Sequence, residues 1–403
     1  MNILFLTMSS FTSLDIHNIY TDLMKELIKN GHHPYIVVPC EKRTGEHTEL
    51  IDKGDHHFLK VSVGNMTNVS FLEKGFSTVT LSNKFLNAIM KYLNGIKIDL
   101  ILYSTPPITL ADTIAELKKK WNCHTYLMLK DIFPQNAVDL GIIKKYGLIN
   151  FYFRKKEKML YRLSDWIGCM SDENINYLKK KNPEIPDEKI ELCPNAICPE
   201  PIIESHTFSE IVRRHYGIPL NSVVFMYGGN LGKPQGVYHI AECLKRIDSL
   251  DEAFTVICGT GSEFSFLDRY VKENDLKHVI LVNGLPKRDY DKLLSVCDVG
   301  LVFLDFRFTI PNFQSRILSY MEKAKPVITC TDSITDIGEL VKKNGFGWSC
   351  LSNNVDAYYN CCTEAIENRD SLKTIGMKGR VTLCNEYNVS SVKERILKHI
   401  INS

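Results

Sequence analysis

The stretch TIPNFQSRILSYMEKAKPVI, residues 309–328, is the most informative part of this chain of 403 residues. An extended segment leads into Ser315 and Arg316, where a short helical pattern begins, and Lys325-Pro326 ends that helix before a strand. A helix that opens on Ser-Arg offers free backbone N–H groups, the positive end of its dipole and a guanidinium, all of which bind phosphate. The pattern predicts either a phosphate site or an ordinary βαβ crossover with a surface arginine.

Two glycine-rich segments earlier in the chain favour the phosphate site. Each lies between an apolar strand pattern and a helical pattern: YGGNLGKPQGV at 227–237 and GTGSE at 259–263. Glycines let backbone approach a ligand, and Lys233 is either a phosphate contact or a solvated loop lysine. Neither segment is a Walker loop or a dinucleotide fingerprint. Because ligands bind at the carboxyl ends of strands in open α/β sheets, the three segments together predict a binding site.

Composition excludes several classes of protein. Apolar residues make up 44% of the chain, charged residues 24%, and the net charge is +2, so no basic field or motif indicates nucleic acid. The 13 cysteines include no CxxC pair, which argues against a zinc or thioredoxin-type site and favours a reducing, cytoplasmic compartment. The segment MNILFLTMSS at 1–10 does not read as a signal peptide, and no run of about 18 apolar residues predicts a transmembrane helix.

Strand and helix patterns alternate along the chain, which predicts an α/β protein with parallel sheets covered on both faces. A cluster of prolines between Pro194 and Ser209 marks the boundary between two domains. The predicted strands are 2–7, 35–39, 99–103, 124–129, 166–169, 223–227, 254–258, 279–282, 299–304 and 326–330.

Four segments of the second half, in their order along the chain, resemble a known family. GGNLGKPQG, CGTGSE, NGLPKRDYDKLLSVCDVGLVFL and IPNFQSRILSYMEKAKPVI resemble the C-terminal half of family 4 (group 1) glycosyltransferases of the GT-B fold. KDIFPQ at 130–135 is similar to the Asp-Leu-Trp-Pro-Glu stretch of bacterial members that build surface polysaccharides. The resemblance implies two Rossmann-like, doubly wound parallel-sheet domains facing a central cleft. Residues 1–200, completed by a helix at 388–403, would bind the acceptor, and residues 201–387 the nucleotide-sugar.

The resemblance also implies a reaction: metal-independent, retaining transfer of a sugar from a nucleotide-sugar, with a UDP-sugar as the expected donor and no cofactor. Asp131, Lys233 and Arg316 are the expected catalytic residues, although the family's lysine position could also be Gln235. The expected donor-binding residues are Gly229, Asn230, Lys233, Gly261, Leu285, Asn312, Ser315, Arg316 and Ser319.

This chain departs from the family pattern in one place. The family's E-x7-E pair, whose second glutamate contacts the ribose, falls on Pro311 and Ser319, and Glu322 lies on an adjacent helix face. The departure leaves a non-catalytic partner subunit as a rival interpretation, beside a UDP-sugar 2-epimerase of the same fold. The sequence shows no Asp-x-Asp between a strand and a loop at a donor site and no His/Cys cluster with ligand spacing, so no metal site is predicted.

On the acceptor side, Asp131 follows an apolar strand and could hold or deprotonate an acceptor hydroxyl, or could be a helix cap or a salt-bridged structural residue. Asp15, His17 and Asn18 lie in the loop after the first strand and are candidate contacts to a glycan or polyprenyl-linked acceptor.

A basic and aromatic stretch at 144–162 holds seven basic residues and one acid, Glu157. Such a stretch suits an anionic bilayer surface, and the alternative is a solvated helix whose apolar side packs on the core. The first interpretation predicts peripheral attachment to the inner face of the cytoplasmic membrane.

Overall fold

The computed structural model describes residues 1–66, 69, 71–202 and 206–401. The chain divides into two compact units, Met1–Cys198 with Val389–Ser403 and Pro199–Asn388. The sequence placed this boundary after residue 200 and the final helix at 388–403, of which residues 402 and 403 lie outside the described part. In the structure that helix spans Val389–Ile401.

Among the described residues, the first unit contains a sheet in which parallel pairing predominates. Its strands are β1 (Asn2–Leu6), β2 (His33–Glu41), β3 (Glu49–Asp52), β4 (His57–Val63), β5 (Leu100–Ser104), β6 (His124–Leu129), β7 (Trp166–Cys169) and β8 (Ile190–Leu192). The order is β3-β4-β2-β1-β5-β6-β7-β8, and only β3 pairs antiparallel with its neighbour.

Strands β3 and β4 were not predicted, because this edge carries many charged and polar side chains. Glu49 and Lys60 face each other across the antiparallel pair and form an ion pair of 2.5 Å. Cross-strand charge pairs of this kind stabilise an edge that apolar periodicity cannot reveal.

Helices cover both faces of the first sheet. They are α1 (Ile19–Lys29), α2 (Phe71–Tyr92), α3 (Ala111–Trp121), α4 (Gln135–Asp139), α5 (Leu148–Leu163), α6 (Asp172–Lys181) and α15 (Val389–Ile401). Alternate residues of β1 point to opposite faces: Ile3 and Phe5 pack with α1 and α15, whereas Leu4 and Leu6 pack with α2, α3 and α5. Burial on both faces explains why the strand is continuously apolar.

The second unit contains a parallel sheet. In the part of the chain that the structure describes, its strands are β9 (Val223–Gly228), β10 (Ala253–Gly259), β11 (Val279–Asn283), β12 (Val299–Phe303), β13 (Val327–Thr331) and β14 (Gly347–Leu351). The order is β11-β10-β9-β12-β13-β14. The direction of strand addition reverses between β9 and β12, and ligands bind beyond the carboxyl ends of strands at such a switch point.

The helices of the second unit precede, connect and follow these strands. They are α7 (His206–His215), α8 (Val237–Ile247), α9 (Phe264–Glu273), α10 (Lys287–Ser295), α11 (Arg316–Glu322), α12 (Ile337–Asn344), α13 (Val355–Glu367) and α14 (Leu372–Glu386). The predicted α/β class with two parallel-sheet domains is confirmed. None of the described helices is long and apolar enough to cross a membrane.

Candidate functional site

The loops after β9, β10 and β11 are joined by backbone hydrogen bonds at the carboxyl edge of the second sheet. The Leu231 N–H donates to the Thr260 carbonyl (2.7 Å), and the Gly284 N–H donates to the Gly259 carbonyl (3.1 Å). These bonds join the two predicted glycine-rich segments, 227–237 and 259–263, to each other and to Gly284.

The glycines of these loops are required where backbones meet. A Cβ on Gly259 would lie 1.8 Å from the Gly229 carbonyl oxygen. A Cβ on Gly261, whose φ is +154°, would lie 2.1 Å from the Leu231 carbonyl oxygen. Both distances are far below any real carbon–oxygen contact, so only glycine allows the loops to approach this closely.

Arg316, the first residue of α11, lies against the glycine loop. Its Nη1 donates to the Gly228 carbonyl (3.1 Å), and its guanidinium lies 4.3 Å from the centroid of the Tyr227 ring. Gly229 approaches the same guanidinium so closely that an added Cβ would lie 3.3 Å from Nη1. No carboxylate of the described ranges forms an ion pair with Arg316, so the cation is available to an anionic ligand at the switch point.

The two candidates for the family's lysine position differ in environment. Gln235 is buried, and its Oε1 accepts from the Gly232 N–H (3.0 Å) and from the Asn230 amide (3.3 Å). Lys233 is exposed. Gln235 and Asn230 therefore shape the loop from within, whereas the Lys233 ammonium can reach a ligand.

The other predicted donor residues lie on the segments that follow β11 and β12. Leu285 follows β11 and is half-buried. The Asn312 N–H donates to the Thr335 hydroxyl (3.0 Å), and the Asn312 Nδ2 is buried without a hydrogen-bond partner among the described residues. Ser315 is exposed at the start of α11, and Ser319 is half-buried in its middle. Asn312 Nδ2 is thus a donor that a ligand could satisfy.

Glu322 does not replace the missing ribose carboxylate. Its side chain is buried, and its Oε1 accepts from the backbone N–H of Glu200 (2.9 Å). Pro311 is also buried, so the two positions of the family's acidic pair carry no carboxylate and the nearest glutamate is engaged elsewhere.

Asp131 follows β6 after one intervening residue, at the carboxyl edge of the first sheet. Both carboxylate oxygens accept from the Asn136 amide (2.9 and 2.8 Å). Burial raises the pKa of the Asp131 carboxyl to about 6, although hydrogen bonds from the Ile132 N–H and Asn136 oppose the shift. A carboxyl that titrates near neutral pH can accept a proton from a hydroxyl, so both the structural and the chemical interpretation have a geometric basis.

Lys130 is a site residue that the sequence analysis did not select. It precedes Asp131, and its Nζ lies 4.0 Å from the centroid of the Tyr20 ring, buried and without a hydrogen-bond partner in the described structure. Burial lowers the pKa of this amine to about 7. The available signal was position, since a lysine ends an otherwise apolar strand at the edge where ligands bind.

Two of the three predicted acceptor contacts have local structural roles. Asn18 caps α1, where its side chain accepts from the Tyr20 N–H (2.8 Å) and the Thr21 N–H (3.1 Å). His17 Nδ1 lies 2.8 Å from the buried carboxylate of Asp22. Asp15 is exposed and accepts from the Ser13 hydroxyl.

The stretch 144–162 forms α5 and the turn before it. An exposed apolar surface, here called the α5 tip, consists of Ile142, Tyr146, Leu148, Ile149, Phe151 and Tyr152. Tyr146 is 92% exposed and Leu148 88%, so these side chains contribute almost nothing to the core. Large exposed apolar patches mark surfaces that bind membranes or partners.

The basic residues of this stretch fall into two groups. Arg154, Lys156 and Lys158 form ion pairs with Glu157, Asp112 and Glu184. The exposed residues are Lys144, Lys145, Lys155 and Arg162. Lys144 and Lys145 adjoin the α5 tip in sequence, whereas Arg162 lies at the opposite end of α5.

Comparison with known protein families finds a match within the second unit. Residues 208–382 match the family Glycosyl transferases group 1. The match covers most of the second unit. The sequence-based assignment to this family is confirmed, and the loops and the arginine described above lie within the matched residues.

Two curated relatives of this chain carry functional names. The chain is 24% identical over 273 residues to "Probable glycosyltransferase WbjE" of Pseudomonas aeruginosa, covering 67% of this chain and 66% of the relative. It is 21% identical over 266 residues to "UDP-Gal:alpha-D-GlcNAc-diphosphoundecaprenol alpha-1,3-galactosyltransferase" of Escherichia coli, covering 62% and 66%. The chain thus spans slightly less than two thirds of the length of each relative.

Solved structures confirm the predicted GT-B fold. Sucrose-phosphate synthase of Thermosynechococcus elongatus superposes with a TM-score of 0.78 at 13% identity, over 100% of this chain and 98% of that one. Anabaena Alr3699/HepE in complex with UDP and glucose superposes with a TM-score of 0.73 at 15% identity, over the full length of both chains.

Proposed function

We propose that this protein is a retaining, metal-independent glycosyltransferase that moves a sugar from a UDP-sugar to a glycan or polyprenyl-linked acceptor in cell-surface polysaccharide synthesis. The observation that carries the proposal is the Arg316 guanidinium, which lies against the glycine loop at the switch point of the second sheet without an ion-pair partner in the described residues. The E. coli relative is named for a UDP-sugar donor and a diphosphoundecaprenol acceptor. The Anabaena structure holds UDP.

The proposed reaction requires stabilisation of the leaving diphosphate and removal of a proton from the acceptor hydroxyl. As the bond between the anomeric carbon and the diphosphate breaks, negative charge grows on the leaving phosphate oxygen. Arg316 and the exposed Lys233 are the cations that would stabilise it, and this electrostatic term is commonly the largest in such reactions. The acceptor hydroxyl forms the new bond to carbon and loses its proton, which the Asp131 carboxylate is suited to accept because its pKa is raised to about 6.

A non-catalytic partner subunit is the second candidate. Pro311 and Ser319 occupy the family's acidic positions, and Glu322 is engaged by the Glu200 N–H. This candidate predicts nucleotide binding without turnover, whereas a UDP-sugar 2-epimerase would consume UDP-sugar in the absence of any acceptor.

Calorimetry of the full-length protein with UDP and with GDP, each in EDTA, tests the donor assignment. We expect UDP to bind at least about tenfold more tightly than GDP, which corresponds to about 1.4 kcal/mol. We also expect binding and turnover to persist in EDTA, because Arg316 and Lys233 supply the positive charge. Turnover that is lost in EDTA and restored by manganese would contradict a metal-independent reaction.

We further propose that the protein attaches to the inner face of the cytoplasmic membrane through the α5 tip. Exposed aromatic and aliphatic side chains would enter the interface, and the cations beside them would meet anionic headgroups. Each cation near an anionic leaflet contributes on the order of 1 kcal/mol, and salt screens that attraction.

Vesicle flotation tests this attachment with a charge-matched control. Lys144→Glu with Lys145→Glu should weaken binding to anionic vesicles at low salt by about 10- to 100-fold, whereas Lys180→Glu with Lys181→Glu on α6 should have a smaller effect. Lys156 is unsuitable for this test because its substitution would also break the ion pair with Asp112. Equal binding of wild type and both variants would show that the basic stretch is only a solvated helix.

A further inference from the structure

Four cysteines and one histidine of the second unit gather between α8, α13 and the strands β13 and β14. This group, here called the thiol cluster, consists of His239, Cys243, Cys330, Cys350 and Cys361. The helix α8 carries the first two residues, each strand carries one, and α13 carries the last. Because the residues come from four separate elements, the sequence shows no cysteine spacing typical of a metal site.

The imidazole of His239 contacts two sulfur atoms at once. Its Nε2 lies 3.3 Å from Cys330 Sγ and 3.3 Å from Cys243 Sγ. His239 and Cys243 are four residues apart on α8 and therefore share one face of that helix. Both cysteines are fully buried, and the histidine is half-buried. Three soft donor atoms thus meet inside the second unit.

The other two thiols extend the cluster toward the surface. Cys330 and Cys350 are direct partners in the parallel register of β13 and β14, so their side chains leave the sheet on the same face. The Cys350 thiol is hydrogen-bonded to the thiols of Cys330 and Cys361. Cys350 and Cys361 are half-buried, so a small ion can reach the buried sulfurs past them.

This arrangement differs from that of a cysteine that packs as a small apolar residue. The buried Cys297 thiol, for example, donates its hydrogen to the Leu293 carbonyl (3.1 Å). In the thiol cluster the sulfurs instead face a ring nitrogen and one another. Zn²⁺ binds thiolate sulfur at about 2.3 Å and imidazole nitrogen at about 2.0 Å, so these two ligands lie about 3.5 Å apart in a tetrahedral site. The two distances of 3.3 Å are close to that spacing.

We propose that the thiol cluster binds one Zn²⁺ ion. Three ligands are His239 Nε2 and the sulfurs of Cys243 and Cys330, and the fourth is Cys350 Sγ. Each of the three thiols releases its proton to solvent as its sulfur binds the metal. Four protein ligands leave no open coordination position, so the site is structural and takes no part in sugar transfer.

The ion would attach α8 to the second sheet. This helix begins at Val237, directly after the glycine-rich segment that carries Lys233. An ion that binds only the folded state raises the free energy of unfolding. The metal therefore stabilises the element that supports the glycine-rich segment, and the sugar-transfer reaction itself remains independent of metal.

Cobalt(II) is a suitable probe, because thiolate ligands give it a charge-transfer absorption that carboxylate and imidazole ligands do not. The full-length protein is reduced with a phosphine, freed of metal and titrated with Co²⁺, which Zn²⁺ then displaces. We expect one Co²⁺ per chain with the absorption of a tetrahedral thiolate site. Zn²⁺ should also raise the urea concentration at which the protein unfolds, whereas Mg²⁺, a hard cation, should not.

Two substitutions at half-buried positions test the ligands with little change in packing. His239→Asn and Cys350→Ser should each weaken Zn²⁺ binding at least about tenfold, a loss seen even for residues that only orient the ligands. Cys384→Ser, which alters an exposed cysteine of α14 in the same unit, should bind Zn²⁺ as wild type does. Far-ultraviolet circular dichroism of the metal-free variants checks that each is folded.

Two results would overturn the inference. The first is a reduced wild-type protein that shows no thiolate absorption with Co²⁺ and gains no stability from Zn²⁺. The second is Zn²⁺ binding that His239→Asn and Cys350→Ser leave unchanged, since the ion would then lie elsewhere on the protein.

Discussion

Asp131→Asn should lower the rate of sugar transfer by about 10²- to 10⁴-fold, the range typical for loss of a positioned general base. The side chain keeps its size but can no longer take the proton from the acceptor hydroxyl. UDP binding should remain unchanged, because Asp131 lies in the first unit and the predicted donor residues lie in the second. Glu188→Gln, which alters an exposed carboxylate of the first unit, is the control.

The pH dependence provides an independent test of the same role. Burial raises the pKa of the Asp131 carboxyl from 3.8 to about 6, so the base is lost as the pH falls through 6. Wild-type turnover should therefore decline below pH 6, and Asp131→Asn should lack this decline. The folded state also holds the proton more tightly than the unfolded state, so this residue lowers stability as the pH rises from about 4 to 6. If Asp131→Asn turned over substrate as fast as wild type, Asp131 would have only a structural role.

Arg316→Ala should weaken UDP binding by about 10- to 100-fold, since charge-assisted hydrogen bonds are worth about 1.5–3 kcal/mol. The guanidinium contacts the Gly228 carbonyl and the Tyr227 ring, so it is already oriented before a ligand arrives. The UDP affinity of Arg316→Lys should lie between that of wild type and that of the alanine variant, because lysine keeps the charge but loses the planar fork.

Calorimetry with UDP measures this effect, and Arg269→Ala, which removes an exposed arginine of α9, is the matched control. Thermal unfolding of Arg316→Ala in the absence of nucleotide reports any loss of the Gly228 contact. If UDP binds equally well to wild type and to Arg316→Ala, the guanidinium belongs to an ordinary crossover and the donor site lies elsewhere.

The central strands of both sheets could be predicted from the sequence because burial on two faces makes them continuously apolar. Strands β3, β4 and β14, at or next to a sheet edge, were missed for the opposite reason, whereas the edge strand β11 was predicted. β3 and β4 pair charged side chains across the edge, and the residues of β14 are half-buried or exposed. In those strands pairing is stabilised by cross-strand contacts that periodicity does not record.

In the candidate site, too, local sequence patterns predicted some residues, whereas others depend on tertiary contacts. The position of Arg316 near the glycine-rich loops could be predicted, because all of these residues belong to local sequence motifs. The helix cap formed by Asn18 could also have been predicted, because Thr21 completes the capping box. The loop was interpreted as an acceptor contact instead. Lys130 could not be predicted from local pattern, because the burial of its ammonium depends on Tyr20, a residue distant in sequence.

A transfer assay with radiolabelled UDP-sugars and a prenyl-diphosphate-linked glycan, in EDTA and with anionic vesicles, tests the central claim most directly. Partition into an organic phase separates labelled lipid from unused donor. We predict that label from at least one UDP-sugar enters the lipid phase and that Arg316→Ala and Asp131→Asn abolish most of this transfer. Conversion of UDP-sugar without an acceptor would identify an epimerase, and UDP binding with no transfer from any donor would contradict an active transferase.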